Sequence, residues 1–305
     1  MPLVSVIMPS YNHEKFISEA IESVLGQTFV DFELIIVDDA STDRSQQIIN
    51  EFSQKDKRIK KIFHKKNLGI AKTFNECIKN SGGKYVAFIA SDDVWLIKKL
   101  EKQIQILEKD ENLVVWGNQI IVDAESIPTG ETSSEKYQNA TANGYIFEEV
   151  VNSWIAGSSM ILKRKNIKDI KFNESLKYLN DSQFYLDTAY NYEYFFMEEP
   201  IAKYRLHGDN ASFGDIEDIK GWYHDSLLLC IYIFQEYGNK LSYKALKSIF
   251  YKTCIVPFII GTHNDLLNKF NLIYPIYTSL VFIFLSTKNI PMIIKNKNKK
   301  QVGYI

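Results

Sequence analysis

The 305-residue chain has only three cysteines, Cys77, Cys230 and Cys254, spaced neither as a disulfide framework nor as a metal knot. They read as isolated reduced thiols in a reducing compartment. Glycine-rich phosphate loops are missing too, with no GxGxxG after a strand and no Walker sequence. Neither sign of charge is in excess: 36 Lys and Arg stand against 37 Asp and Glu, for a net charge of −1. That argues against a nucleic-acid binder, because neutralising phosphates takes a basic surplus. Apolar runs are short. The nearly uncharged stretch Leu272–Leu285 falls below the ~20 residues that span a bilayer. The chain enters a strand at Leu3 with no basic region or apolar signal core before it, so a cytoplasmic location is expected.

What is present is 46% apolar and globular, with a clear alternation of strand and helix in the first hundred residues. Short apolar runs at Leu3–Met8, Glu33–Val37, Ile59–Phe63 and Lys84–Ala90 predict buried parallel strands. Helical spacing over His13–Gln27, Arg44–Phe52 and Ile70–Asn80 supplies the crossovers, and Lys98–Lys109 adds an amphipathic helix. The order predicts an α/β fold with a mostly parallel central sheet flanked by helices. Leu113–Gly117 reads as a further strand, and the polar stretch 123–144 as a long loop. The last ninety residues are helical by pattern.

Three polar clusters follow three of the strands: Pro9-Ser-Tyr-Asn12, Asp38-Asp39 and Ser91-Asp92-Asp93. In a parallel sheet these lie on one edge, where open α/β sheets bind ligands. Acids at the ends of buried strands are costly unless something there needs them. A nucleotide bound without a glycine-rich loop needs its diphosphate neutralised otherwise, and carboxylates holding Mg²⁺ or Mn²⁺ would do so.

The segments Val4-Ser-Val-Ile-Met-Pro-Ser-Tyr-Asn12, Val37-Asp-Asp-Ala-Ser-Thr-Asp43, Asn67-Leu-Gly69, Phe88-Ile-Ala-Ser-Asp-Asp93, Asn180-Asp181 and Tyr204-Arg-Leu-His207 together resemble the serial motifs of family-2 glycosyltransferases with the GT-A fold. The resemblance covers residues 1–212 and implies an inverting transfer from a nucleotide-sugar donor to an acceptor hydroxyl. It implies that Pro9, Tyr11 and Asn12 line the base and ribose pocket and that Asp39 accepts a pyrimidine N–H, favouring a UDP-sugar. Asn67, Gly69 and Lys72 would lie beside the nucleotide, and Asp92 would contact ribose and metal. Asp93 and His207 would be further metal ligands, Arg205, Gly157 and Ser158 would face the diphosphate or acceptor, and Asp181 would be the general base. The sequence departs from the family pattern at Ala90, where the metal motif usually begins with an acid, and at Asn180, usually Glu.

Plainer readings stand beside these. Asp38 can end a strand, Asp43 or Asp181 can cap a helix, and Asp92-Asp93 can form a turn. An isolated His207 is ordinarily structural, and Trp154 is as well suited to core packing as to the acceptor side. Leu272–Leu285 followed by Lys295, Lys297, Lys299 and Lys300 fits a core helix or an interfacial helix meeting anionic lipid. The expected division is a catalytic domain over 1–215 and a helical region over 216–305, peripheral on the inner face of the membrane. The expected product is a bacterial surface polysaccharide or lipid-linked glycan, such as O-antigen or capsule. The rivals are a sugar nucleotidyltransferase, which lacks its glycine-rich signature here, and a non-catalytic nucleotide-sugar-binding protein.

Overall fold

The computed structural model describes residues 1–137, 141–150, 155–208, 216–237 and 240–242. Nine strands are present among them: β1 Val4–Ser10, β2 Phe32–Asp38, β3 Ile59–Phe63, β4 Tyr85–Phe88, β5 Val94–Trp95, β6 Val114–Val122, β7 Pro128–Thr132, β8 Ile161–Lys163 and β9 Tyr194–Arg205. Eight helices accompany them: α1 Ile17–Leu25, α2 Ser45–Lys55, α3 Ile70–Lys79, α4 Lys99–Leu107, α5 Ser133–Lys136, α6 Phe147–Val150, α7 Asn180–Asn191 and α8 Ile216–Tyr237. The chain divides between Asp225 and Ser226.

β1 and β2 are buried along their whole length, as strands flanked on both sides and covered on both faces must be. α1 presents Ile17, Ala20, Ile21 and Val24 to the sheet at i, i+3, i+4 and i+7 and stops at Gly26. Each of the fully buried Ile and Val side chains contributes about 1.5–3 kcal/mol. The sheet runs β3-β2-β1-β4-β8-β6-β9-β5, with β7 paired to β6. β3, β2, β1 and β4 are mutually parallel; beyond β4 comes β8, antiparallel to both β4 and β6, so that β6 and its parallel neighbour β9 run in the direction of the first four strands. With β1 between β2 and β4, the chain winds one way and then the other, so the crevice opens at the ends of β1 and β4.

Two registers matter for the site. Ser10 pairs with Asp38, and the Asp39 amide donates to the Ser10 carbonyl at 2.8 Å, so the β1 and β2 ends stay level. Val94 pairs with Lys203 across β5 and β9, which sets Arg205–His207 beside Asp92-Asp93.

Two expectations change. The stretch 123–144 is not one long loop. Asp123 Oδ1 accepts the amides of Glu125 and Ile127, closing a turn with Ser126 at φ 66°, after which β7 returns along β6. A reciprocal cap between Thr132 and Glu135 then starts α5. The expected helix at His13 begins only at Ile17, because the amides of His13 and Glu14 are held by Ser45 Oγ and Asp43 Oδ2. Trp154, Cys254, Leu272–Leu285 and the lysines after it lie outside the described residues.

Candidate active site

Asp38 and Asp39 end β2 as neighbours and do different work. Asp38 is fully buried and accepts from Ser10 Oγ, the Ser41 amide, Ser41 Oγ and Gln46 Nε2, tying the turn to β1 and α2. Asp39 turns toward the β3–α3 loop. Its Oδ1 accepts the Leu68 amide at 2.7 Å and lies 2.7 Å from His64 Nδ1, while Oδ2 accepts the Gly69 amide at 2.8 Å. A carboxylate has about four acceptor positions, so one remains on Oδ2. Gly69, at φ 91°, adopts a backbone that favours glycine, and its amide also meets Asn67 Oδ1. Asn12, at φ 53°, receives the Thr42 amide on its side chain, while Tyr11 stands exposed and Pro9 is buried in β1. Lys72 is exposed on α3.

His64 completes this corner, with Nδ1 on Asp39 and Nε2 2.8 Å from Glu76 Oε2. Burial depresses its pKa, but the two carboxylates outweigh burial and hold the imidazolium form above the usual range.

At the β4 end, Asp92 and Asp93 face opposite ways. Asp92 Oδ2 is 3.1 Å from His207 Nε2 and 4.0 Å from His13 Nε2. Burial alone would raise its pKa; the His207 hydrogen bond and the two imidazoles hold it below the usual value. Asp93 was expected to ligate metal, but its Oδ1 accepts the Arg205 amide at 3.0 Å and Ser158 hydrogen-bonds it. Burial, then the charge of Asp92, keeps Asp93 above the ordinary carboxylate range. Among the described residues the group able to hold a cation is His13, Asp92 and His207, with one donor atom from each within 4.8 Å of the others.

Arg205, expected on the diphosphate or acceptor side, is buried among protein groups. The residue is 1% exposed, and its guanidinium donates to the carbonyls of Asp92 and Ala124, to Ser126 Oγ and to Glu19 Oε2. It lies over Phe16, which packs in turn on the His207 ring with centroids 4.4 Å apart. Arg205 therefore sets the Asp92 main chain and, through Phe16, the His207 ring.

Asp181 sits in the first turn of α7, not at its N-cap, which is Leu179. Asp225 accepts the amides of Tyr178 and Leu179 and so anchors the chain just before this turn. Burial pushes the Asp181 carboxyl up to about 6, against hydrogen bonds from its own amide and Ser182. Its charge bears on Tyr185, one turn on, whose hydroxyl lies against Gly157 where any Cβ would overlap it. Ser158 Oγ accepts the Ala90 amide, and the Ser158 carbonyl accepts Trp95 Nε1. Gly157 and Ser158 thus link the Asp181 helix to the Asp92 turn.

The structure brings Asp92 and His207 together, joins Asp39 to Asn67–Gly69, and ties Asp181 through Tyr185 to Gly157-Ser158. Two residues escaped sequence reasoning. His64 stands one residue past β3, on the same sheet edge as the three clusters, so the strand-end rule would have found it. His13 directly follows Asn12, and only the β1–β4 pairing brings it to Ser91, at 2.8 Å from Nδ1 to Oγ.

The sequence profile of Glycosyl transferase family 2 matches residues 5–170. An uncharacterized glycosyltransferase of Methanocaldococcus jannaschii is 35% identical over 67% of this chain and 71% of its own. An Escherichia coli UDP-Glc:alpha-D-GlcNAc-diphosphoundecaprenol beta-1,3-glucosyltransferase is 42% identical over 41% of this chain and 49% of its own. In fold, S. aureus TarS 1–349, solved in complex with UDP-GlcNAc, superposes with a TM-score of 0.63 at 23% identity, covering 82% of this chain and 71% of that one. The sheet is the GT-A-like α/β architecture flanked by helices, and its relatives include enzymes of envelope glycan synthesis. The chain belongs to glycosyl transferase family 2 and is a glycosyltransferase.

Proposed function

We propose that the protein is an inverting transferase that moves a sugar from a UDP-sugar to a hydroxyl of a lipid-linked envelope glycan. The observation that carries this reading is the Asp92–His207 pair at the β4 end, on the same sheet edge as Asp39 at the β2 end. The vacant acceptor position of Asp39 suits a pyrimidine N–H, and Tyr11 and Asn12 would flank the ribose. Asp92 and His207 would hold Mn²⁺ or Mg²⁺; the mixed carboxylate and imidazole donors fit such an ion, which when bound offsets the charge of a departing diphosphate. Lys72, exposed on α3, would lie beside the nucleotide.

Inversion needs one in-line displacement, and the attacking hydroxyl must lose its proton as the bond forms. Asp181, with its pKa pushed up to about 6, is ionised at neutral pH yet basic enough to take that proton. Gly157 and Ser158 would shape the acceptor side. Donor and acceptor follow the relatives: UDP-GlcNAc is bound by TarS, and the Escherichia coli enzyme is named for a diphosphoundecaprenol acceptor. The catalytic domain is proposed to span 1–215. The region 216–305, with its apolar stretch and trailing lysines, is proposed to meet the membrane surface. Among the described residues no helix is long and apolar enough to cross a membrane.

The test is a panel of UDP-, dTDP- and GDP-sugars with Mn²⁺, with and without chelator, read as released nucleoside diphosphate with polyprenyl-diphosphate-sugar acceptors. UDP-sugar turnover that chelator abolishes is the expected result. No turnover of any donor, even with envelope lipid extract as acceptor, would favour a non-catalytic nucleotide-sugar-binding protein instead.

A further inference from the structure

The β4 turn has no acid at position 90, and Asp93 accepts the Arg205 amide rather than joining Asp92. A cation held there by Asp92 and His207 alone has two protein ligands. We propose that His13 supplies a third, so that one carboxylate and two imidazoles form the site and select Mn²⁺ and similar first-row ions over Mg²⁺.

The geometry supports each part. His13 Nε2 lies 4.0 Å from Asp92 Oδ2, which is itself 3.1 Å from His207 Nε2. The two rings meet edge to face with centroids 5.8 Å apart, leaving both Nε2 atoms near the same carboxylate oxygen. His13 Nδ1 is engaged at 2.8 Å by Ser91 Oγ. If Nδ1–H donates to that hydroxyl, Nε2 keeps its lone pair, the arrangement ligating histidines usually show. The His13 amide is fixed on Ser45 Oγ at 3.0 Å, and Phe16 steadies the His207 ring. His13 is thus held through Nδ1 and its amide by Ser91 and Ser45, neither of which engages Nε2.

The donor set decides which metal binds. Mg²⁺ demands oxygen ligands and keeps most of its waters. Transition ions accept imidazole nitrogen more readily than Mg²⁺ does, with Mn²⁺ the weakest of that series, and two imidazoles with one carboxylate leave open positions for a diphosphate. The inference rests on the nucleotide-diphosphate reading of this site, yet metal binding alone can test it.

The experiment uses the full chain with Mn²⁺, with and without UDP, and counts imidazole nitrogens on the ion by pulsed electron paramagnetic resonance. The parent is expected to show two, and His13→Asn and His207→Asn one each. Mn²⁺ affinity of His13→Asn should fall by at least the ~10–100-fold that a lost outer-shell partner costs. The excess of Mg²⁺ needed to displace Mn²⁺ should fall alongside. His13→Gln serves as the second variant, and thermal melting confirms that each variant is folded. A parent with one imidazole nitrogen or none, or a count that His13→Asn leaves unchanged, overturns the proposal. Two nitrogens with no UDP-sugar turned over would sink the UDP-sugar reading and leave the metal site standing; turnover with a single nitrogen would do the reverse.

Discussion

Replacing Arg205 by Met keeps an apolar stem over Phe16 and removes every guanidinium donor. In the parent those donors serve the Asp92 carbonyl at 2.7 Å, the Ala124 carbonyl at 2.9 Å, Ser126 Oγ at 2.7 Å and Glu19 Oε2 at 2.6 Å. Two carbonyl acceptors would be stranded, at roughly 1–3 kcal/mol each. The Glu19 side chain is 43% exposed, so its ion pair adds only about 0–1 kcal/mol after solvent screening. The expected loss is therefore about 2–7 kcal/mol, or a fall in melting temperature of roughly 4–28 °C for a domain of this size. Glu19 adds a pH signature. Burial raises its pKa, but hydrogen bonds from Ser126 and Arg205 outweigh this and hold it below the usual 4.5. A depressed carboxylate pKa stabilises above the unfolded value and is lost as pH falls through the folded one, so the variant's melting curve should be flatter below pH 4.5. Thermal unfolding across pH 3–7 reads both effects. A variant melting within about 2 °C of the parent would refute the idea that Arg205 is the post holding the Asp92 turn.

Asp181→Asn should lower kcat by about 10²–10⁴-fold with donor affinity unchanged, and abolish an acid limb near pH 6 in the kcat/KM profile. A limb that survives would remove Asp181 as the base. Gly157→Ala should cost about 1–3 kcal/mol, because its Cβ overlaps the Tyr185 hydroxyl. Tyr185→Phe should rescue it, since the next ring atom lies at an ordinary 3.6 Å, and a double-mutant cycle without coupling would contradict this packing. His64 has its pKa raised by Asp39 and Glu76, so its stabilisation is full below pH 6.5 and is lost as pH rises through the folded value. Melting temperature should accordingly decline above pH 6.5 in the parent more than in His64→Phe, and parallel curves would count against the Asp39–His64–Glu76 link.

The parallel half of the fold was legible because its signals are local. Runs such as Glu33–Val37 are apolar for burial on both faces, and Ile17, Ala20, Ile21 and Val24 keep helical spacing, so element type follows from a few neighbours. The strand-end rule likewise pointed to the sheet edge where the structure places Asp39 and Asp92. It could not say which of two adjacent acids faces the crevice, because neighbouring residues point opposite ways and only tertiary partners decide between them. Asp38 and Asp93 are drawn inward by donors about 28 and 112 positions away along the chain. Arg205 meets the same limit: a buried guanidinium and one reaching a diphosphate look identical in sequence. The hairpin after β6 was hidden by polar composition, although Asp123 and the Thr132–Glu135 pair carry ordinary turn and capping chemistry.

The same reasoning explains why Ala90 looked like a defect. Read along the chain, the metal motif has lost an acid and nothing nearby replaces it. Read across the sheet, β1 pairs with β4 from Val4↔Tyr85 to Ile7↔Phe88, and the Ile89 amide still donates to the Ile7 carbonyl at 3.1 Å. Any turn leaving β1 must then pass beside the turn leaving β4. A ligand missing from one turn can be supplied by the other at no cost to the fold, because neither turn lies inside a strand. His13 stands in that turn, with its Nδ1 2.8 Å from the Ser91 hydroxyl. A carboxylate at 90 would make the site richer in oxygen and more tolerant of Mg²⁺. If the proposed site holds a cation, an alanine there with histidine at 13 would shift it toward nitrogen, and the departure at 90 would bear on which ion binds rather than on whether one does.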